Sequence, residues 1–210
     1  MKKKNETKKL DKTTEQKIKT AARIVFYKKG YAATRTRDIA EEAGINIALL
    51  NYYFRSKEKL FEIIMLETVS EFLQTMEIVL NEEKSSLEKK IELIASNYID
   101  FIIKEPNIPI FILSEIHNNQ GRLLEKLPIK QILMNSVFIK QHQKAVEEGK
   151  ITEPNPLHFL MNLLGLVVFP FIGKPLLQKV SGINDTQFNK LMLERKKMIP
   201  LWIKAMMKGK

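Results

Sequence analysis

Apolar side chains recur along the chain in steps of three and four, the spacing that gathers them on one face of a helix. From about Thr14 to Lys29 the face is Ile18, Ala22, Val25 and Phe26, and the run stops at Gly30. Short helices are predicted near 37–43 and 47–53. Ser56 is a good N-cap, with Glu58 in the first turn, for a long helix carrying Leu60, Ile63, Ile64, Phe72, Met76 and Val79 to about Asn81. Ser86 to Lys104 repeats the pattern through Leu87, Ile91, Ile94, Tyr98 and Phe101. Pro106 and Pro109 open a shorter apolar helix to Ile116, and Ile129 to Glu148 form the next, which Gly149 ends. Two last helices are predicted from about Pro156 to Val180 and from Asp185 to Met207. The eight Gly and eight Pro fall mostly in the gaps. The expectation is an all-α chain of about nine helices and no sheet.

One segment is more specific than its surroundings. Thr36 is placed to cap a helix whose Ile39, Ala40 and Ala43 point inward, and Gly44 supplies the left-handed residue of a tight turn. Asn46 then caps a second helix. Two short helices joined by a turn containing Gly form a helix-turn-helix. In the second, Leu50 and Phe54 lie one turn apart as anchors, leaving Ala48, Leu49, Tyr52 and Tyr53 outward, with Ile47 and Asn51 at the margin. Such a face is odd for a solvated helix and suits a major groove, with methyl contacts to thymine, an Asn amide for adenine and Tyr hydroxyls for phosphate. Arg35, Arg37, Arg55 and Lys57 surround it with positive charge.

Composition narrows the picture. At 210 residues, 44% apolar and 28% charged, the chain has material for a core and is not a disordered tail. With no Cys, disulfides, thiolate zinc sites and thiol nucleophiles are excluded. Of the net charge of +11, most sits in residues 1–60, with 16 Lys/Arg against 7 Asp/Glu, while the other 150 residues hold 19 against 17. That is a basic head for a polyanion on a nearly neutral body. The Lys-rich residues 1–12 are expected to be disordered and are not followed by the apolar run of a signal peptide. Residues 154–173 carry no formal charge, but His158, Asn162, Pro156 and Pro170 argue for a buried partner helix over a membrane span.

Catalysis has little support. His117, His142 and His158 are scattered, and no His-Glu-x-x-His, phosphate loop or nucleophile elbow occurs. Glu115 and His117 are two apart and share no helical face, and Asp100 with Glu105 reads as a solvated face. No enzyme, metal or cofactor is expected.

Gly30-Tyr31, Thr34, Ile39-Ala40, Ala43-Gly44, Asn46, Tyr52-Tyr53-Phe54, Lys57 and Leu60 together resemble the N-terminal pattern of the TetR family of transcriptional regulators. The likeness covers about residues 14–61. It implies a three-helix DNA-binding head over 13–58, an effector-binding and dimerisation body over 59–210, and a cytoplasmic homodimer joined mainly by the last two helices. Carried over residue by residue, the family's DNA contacts fall on Thr36 and Arg37, on Asn46, Ile47, Ala48 and Leu49, and on Tyr52, Tyr53 and Lys57 at the phosphates. Asn51 stands where the family usually has an aromatic or His, and Ile47 where Lys or a polar residue is common, so no operator sequence is borrowed.

In the body, the last two helices carry more apolar surface than one chain needs. Leu160, Leu164, Val167 and Phe171, with Leu191, Met198 and Trp202, are expected in a four-helix interface with a two-fold mate. Tyr98, Phe101, Ile102, Phe111, Phe138, Met161 and Phe169 are candidates for an apolar ligand chamber with His142 or Asn97 as its polar contact, or for ordinary core. The expected function is a sequence-specific regulator, by family habit a repressor, released from a near-palindromic operator by a small hydrophobic effector. The alternatives are a regulator without a small-molecule ligand and a basic helical protein on anionic membrane surfaces.

Overall fold

The computed structural model describes the backbone of residues 2–118, 120–122 and 124–207, and the side chains of 13–117, 120–122 and 124–207. Eleven α-helices and one 3-10 turn, and no strand, occur among the described residues. They form two compact units, Met1–Thr68 and Val69–Lys210.

In the first unit α1 runs Lys2–Ala33 and is broken at Gly30, whose φ of 74° and ψ of 163° lie outside the helical region. Residues 2–29 contain neither Gly nor Pro, so nothing local stops the helix. The backbone is therefore helical from Lys2, where a disordered start was expected; the side chains of 1–12 lie outside the described residues. Helices α2 (Thr36–Glu42), α3 (Ile47–Phe54) and α4 (Lys57–Asn81) follow, and the unit boundary falls within α4. Ile18, Ala22, Val25 and Phe26 of α1 are buried, as are Ile39 and Ala40 of α2, Leu50 and Phe54 of α3 and Leu60 and Ile64 of α4. Each large side chain among them contributes about 1.5–3 kcal/mol by leaving water. At the rim Lys19 reaches Glu67 at 2.7 Å and Arg23 donates to the Thr68 hydroxyl at 2.6 Å.

The second unit is built around α5 (Leu87–Lys104). Ser86 caps it, accepting from Lys89 N at 3.1 Å, and Ile91, Ile94, Ala95, Ile99 and Ile102 bury its inner face. Lys90 is buried too. Its ammonium is satisfied by the Glu82 carbonyl and by the Ser85 carbonyl and hydroxyl at 2.9 and 2.8 Å. Next come α6 (Ile108–Asn118), a 3-10 turn (Leu124–Lys126), α7 (Ile129–Met134), α8 (Val137–Glu147), α9 (Pro156–Ile172), α10 (Lys174–Ser181) and α11 (Asp185–Met207). Helices α8, α9 and α11 pack on α5, and α6 and α10 on α9.

Eleven helices replace nine because two expected helices are each cut once. Between α7 and α8 the buried Ser136 hydroxyl donates to the Leu133 carbonyl at 2.6 Å and accepts from Ile139 N at 3.3 Å, ending one helix and starting the next. Between α9 and α10 Pro175 has no N–H for the Phe171 carbonyl, and the two helices bend by 67° at Gly173. Among the described residues no single helix is long and apolar enough to cross a membrane.

Candidate nucleic-acid interface

The turn between α2 and α3 is fixed by local chemistry. Gly44 sits at φ 60°, and Asn46 accepts from Leu49 N at 2.7 Å through its side-chain oxygen. With α3 so capped, Leu50 and Phe54 turn into the head and the opposite face is left open. Ile47, Ala48, Asn51 and Tyr52 are exposed, Tyr52 to 79%, while Leu49 and Tyr53 are half-buried. Tyr53 meets Tyr52 edge-on, with centroids 5.4 Å apart.

At the start of α2 the cap differs from expectation. Arg35 is the N-cap residue, and its N–H donates to Asp38 Oδ2 at 2.8 Å, so the Asp38 carboxylate does the capping expected of Thr36. Thr36 is the first helical residue and half-buried, and Arg37 is exposed. The Arg35 N–H, and then Lys29 at 2.9 Å, hold the Asp38 carboxyl below the usual aspartate range.

Lys57, expected at the phosphates, is half-buried and bonded within the head. Its ammonium turns inward, donating to the Tyr31 carbonyl at 3.1 Å and the Thr34 carbonyl at 2.9 Å, and lies 4.3 Å from the Tyr31 ring centroid. The physical reason is the break at Gly30: Thr34 folds back, its hydroxyl bonding the Gly30 carbonyl at 2.7 Å, and the carbonyls at the end of α1 need a donor. Tyr31 completes the corner by stacking on Phe61 at 4.5 Å and donating its hydroxyl to Glu58 at 3.1 Å. Burial, then the Glu58 contact, pushes the Tyr31 phenol up. Gly30, Tyr31, Thr34 and Lys57 thus meet in one bonded corner. No spacing argument finds this corner, because it forms only when the end of α1 meets the start of α4.

Part of the remaining charge is paired. Lys19, Arg23, Lys29 and Lys59 are paired with Glu15 and Glu67, Glu67, Asp38 and Glu62. Among the described residues Arg35, Arg37 and Arg55 carry no side-chain hydrogen bond or ion pair, and all three are exposed beside α2 or α3. Arrayed with the outward face of α3, they give an apolar and amide surface for base edges and cations for phosphate.

In the second unit the expected chamber residues separate. Ile102, Phe111, Phe138 and His142 are buried, and Tyr98 and Phe101 pack on Phe72 at 4.6 and 4.1 Å. Burial pushes the Tyr98 phenol up to about 12. Met161 and Phe169, by contrast, are 61% and 65% exposed and line no interior space. The buried stripe of α9 is Phe159, Leu163 and Val167, so positions two residues away face out. For the same reason Val167, expected in an interface, is core, whereas Leu164, Leu191 and Met198 are exposed and Leu160, Phe171 and Trp202 are half-buried. Both ring nitrogens of His142 lack a hydrogen-bond partner among the described residues. An open groove of about 630 Å³ lies elsewhere on this unit, lined by Leu87, Ile91, Gln141, Ile151, Leu201 and Met207 among others. No group of three or more His, Asp or Glu among the described residues is arranged to hold a metal.

Comparison with known proteins agrees with this geometry. Residues 18–64 match the family model described as "Bacterial regulatory proteins, tetR family". The chain is 27% identical to the Bacillus subtilis protein named "Probable HTH-type transcriptional regulator YttP", over 92% of this chain and 93% of that protein. It is 25% identical to the B. subtilis "Fatty acid metabolism regulator protein", over 63% of this chain and 68% of that one. Among solved structures, B. subtilis FadR in complex with stearoyl-CoA has the same fold, with a TM-score of 0.62, 19% identity and coverage of 91% and 98% of the two chains. A regulator of the TetR/AcrR family from Thermobifida fusca gives a TM-score of 0.61 at 18% identity, covering 89% and 96%.

Proposed function

We propose that the chain, a DNA-binding transcriptional regulator similar to the TetR family, is a cytoplasmic homodimeric repressor, released from a near-palindromic operator by a hydrophobic small molecule. The observation that carries the DNA reading is the outward face of α3, where Ile47, Ala48, Asn51 and Tyr52 are exposed on a helix capped by Asn46. Asn51 reads a base edge, Tyr52 and Tyr53 reach phosphate, and Thr36, Arg37 and the start of α3 set the register. One helix reads only a few base pairs, so two heads reading half-sites about one turn apart are required. The exposed Leu164, Leu176, Val180, Leu191, Met198 and Leu201 of α9, α10 and α11 support a dimer through those helices.

A ligand reading is supported by a relative named for fatty acid metabolism and a fold neighbour holding stearoyl-CoA. Within this chain it is supported by His142, a polar group buried in an apolar setting without a partner among the described residues. A ligand acts only through its different affinity for the bound and released states.

The test is fluorescence anisotropy on DNA from upstream of the chain's own coding region, against a shuffled fragment, at two salt concentrations. Preference for the native fragment that survives the higher salt, at two chains per site, is the expected result. Displacement by long-chain acyl compounds then tests the ligand. Equal, salt-erased binding to both fragments contradicts the operator assignment.

A further inference from the structure

Helix α8 buries a polar ring that the fold does not satisfy. His142 is fully buried, and both its ring nitrogens lack a hydrogen-bond partner among the described residues. Its surroundings are apolar. Phe138 and Ile139 are buried one turn before it on α8, the Phe159 ring of α9 lies 6.3 Å away between centroids, and α5, packed on α8, buries Ile91, Ile94 and Ala95. The charges on these elements are engaged elsewhere. Lys130 of α7, Lys140, Lys144 and Glu147 of α8 and Glu88, Lys89 and Glu92 of α5 are exposed, and the buried Lys90 of α5 is held by Glu82 and Ser85. Glu153, in the connection to α9, is the carboxylate that acts on the imidazole. Both its oxygens are already bonded, Oε1 by Asn155 N at 2.9 Å and Oε2 by His158 Nδ1 at 2.9 Å. The site therefore accepts a neutral imidazole and holds no counter-charge ready for an imidazolium.

The same helix is tied to the end of α4. Val137 N, at the start of α8, donates to Asn81 Oδ1 at 3.3 Å, and Gln141, the neighbour of His142, donates from Nε2 to the Ser85 carbonyl at 2.9 Å. Asn81 is the last residue of α4, the helix in which the head ends and this unit begins. A proton on His142 makes both ring nitrogens donors and adds a charge, which is satisfied when α8 shifts far enough to admit water or to draw Glu153 in. Such a shift pulls on both ties. We propose that His142 is an acid-sensing switch whose protonation displaces α8, loosens the end of α4 and lowers affinity for the operator. The proposal rests on the DNA-binding reading above and adds the proton as a regulatory input to it.

The experiment measures affinity for the upstream fragment and its shuffled control between about pH 7.5 and 5.5 at fixed ionic strength. The proteins are the full chain, His142→Leu and the double variant Asn81→Ala/Gln141→Leu, each referred to its own affinity at the higher pH. Circular dichroism at every pH gives the folded fraction, so that unfolding is not counted as loss of binding. A shifted state in which the imidazole regains its ordinary value of 6.5 is favoured over that range by up to about tenfold per chain. The parent's affinity for the upstream fragment is expected to fall by up to that factor per chain, with the fall lying below pH 6.5. His142→Leu is expected to lose the fall. The double variant is expected to keep the parent's acid-dependent loss of melting temperature while its affinity no longer follows pH, a separation that a merely structural histidine does not produce. A parent profile that superimposes on that of His142→Leu overturns the switch, and a fall retained in the double variant overturns the route through α4. If His142→Leu does not fold, His142→Gln supplies the non-titrating comparison. A parent without preference for the upstream fragment at the higher pH defeats the DNA-binding reading itself, an outcome distinct from a parent that prefers that fragment equally at both ends of the range.

Discussion

Arg195 of α11 donates from Nη2 to the carbonyl of Leu166 in α9 at 2.7 Å, and Leu166 stands four residues before Pro170. In an unbroken helix the N–H of residue 170 would take that carbonyl, and proline has none. One helix therefore repairs the ladder of its neighbour. The guanidinium is also packed 5.0 Å from the Trp202 ring centroid, and burial lowers its pKa.

This repair is testable as a coupling. Arg195→Met should cost about 1–3 kcal/mol, because it leaves a partly buried carbonyl unpaired. In a Pro170→Ala background the helix supplies its own donor, so the same substitution should cost about 1 kcal/mol less. Urea unfolding of the four proteins in the cycle measures the difference. Strict additivity would mean that the Arg195 bond carries no stability.

His142 makes a second prediction. Its ring nitrogens are buried without partners among the described residues, and a polar group left so costs about 1–3 kcal/mol. His142→Leu should raise stability by an amount in that range while abolishing any response to a ligand that the imidazole holds. The pH dependence has a definite sign. Desolvation holds the folded pKa below the ordinary value of 6.5, with Glu153 partly opposing, so the unfolded chain binds the proton first. Stability therefore falls as pH drops below 6.5 and goes on falling until the lower folded pKa is passed. Urea midpoints at about pH 7.5 and 5.5 should diverge more in the parent than in His142→Leu; equal divergence removes His142 as the titrating group.

The head was largely readable because its signals are local. Gly44 at positive φ, Asn46 as a cap and the one-turn spacing of Leu50 and Phe54 each act within a few residues, and each stands in the fold where spacing placed it. The direction of Lys57 was not readable, since a lysine at a helix start looks the same whether it faces solvent or two carbonyls brought from α1. Helix α9 failed differently. Its residues from Phe159 to Phe171 are apolar on nearly every side, so the period holds no phase: Val167, expected outward, is buried, and Met161 and Phe169, expected inward, are exposed. The cuts at Ser136 and Gly173 were hidden by the periodic apolar runs that contain them.

On α3, base reading and phosphate binding should separate by substitution. Asn51→Ala removes an amide able to pair with adenine, and should lower discrimination at one base pair by about 1–3 kcal/mol while leaving shuffled DNA bound as before. Tyr53→Phe removes only a hydroxyl and should weaken all sequences alike, by about 0.5–1.5 kcal/mol. Competition with single-base-pair variants of the bound site tells them apart. Uniform loss for Asn51→Ala would take away its base-reading role.

The exposed apolar side chains of α9–α11 lead to the last prediction. Leu201 is 67% exposed, Leu164 and Leu191 are also exposed in the same unit, and a lone chain gains nothing from leaving them in water. Burying a leucine contributes about 1.5–3 kcal/mol, and a two-fold interface counts each position twice. Leu201→Glu or Leu164→Glu should then weaken dimerisation by about 3–6 kcal/mol, roughly two to four orders of magnitude in dissociation constant. Ile78→Glu, on α4 and equally exposed, should leave the dimer intact. Sedimentation equilibrium reads the association directly. DNA binding provides the independent check, because a protein reduced to monomers holds one half-site at a time and should lose its preference for a two-fold site at any concentration below the new dissociation constant. If Ile78→Glu dissociates the protein and the two leucine variants do not, the contact between copies lies on a different face.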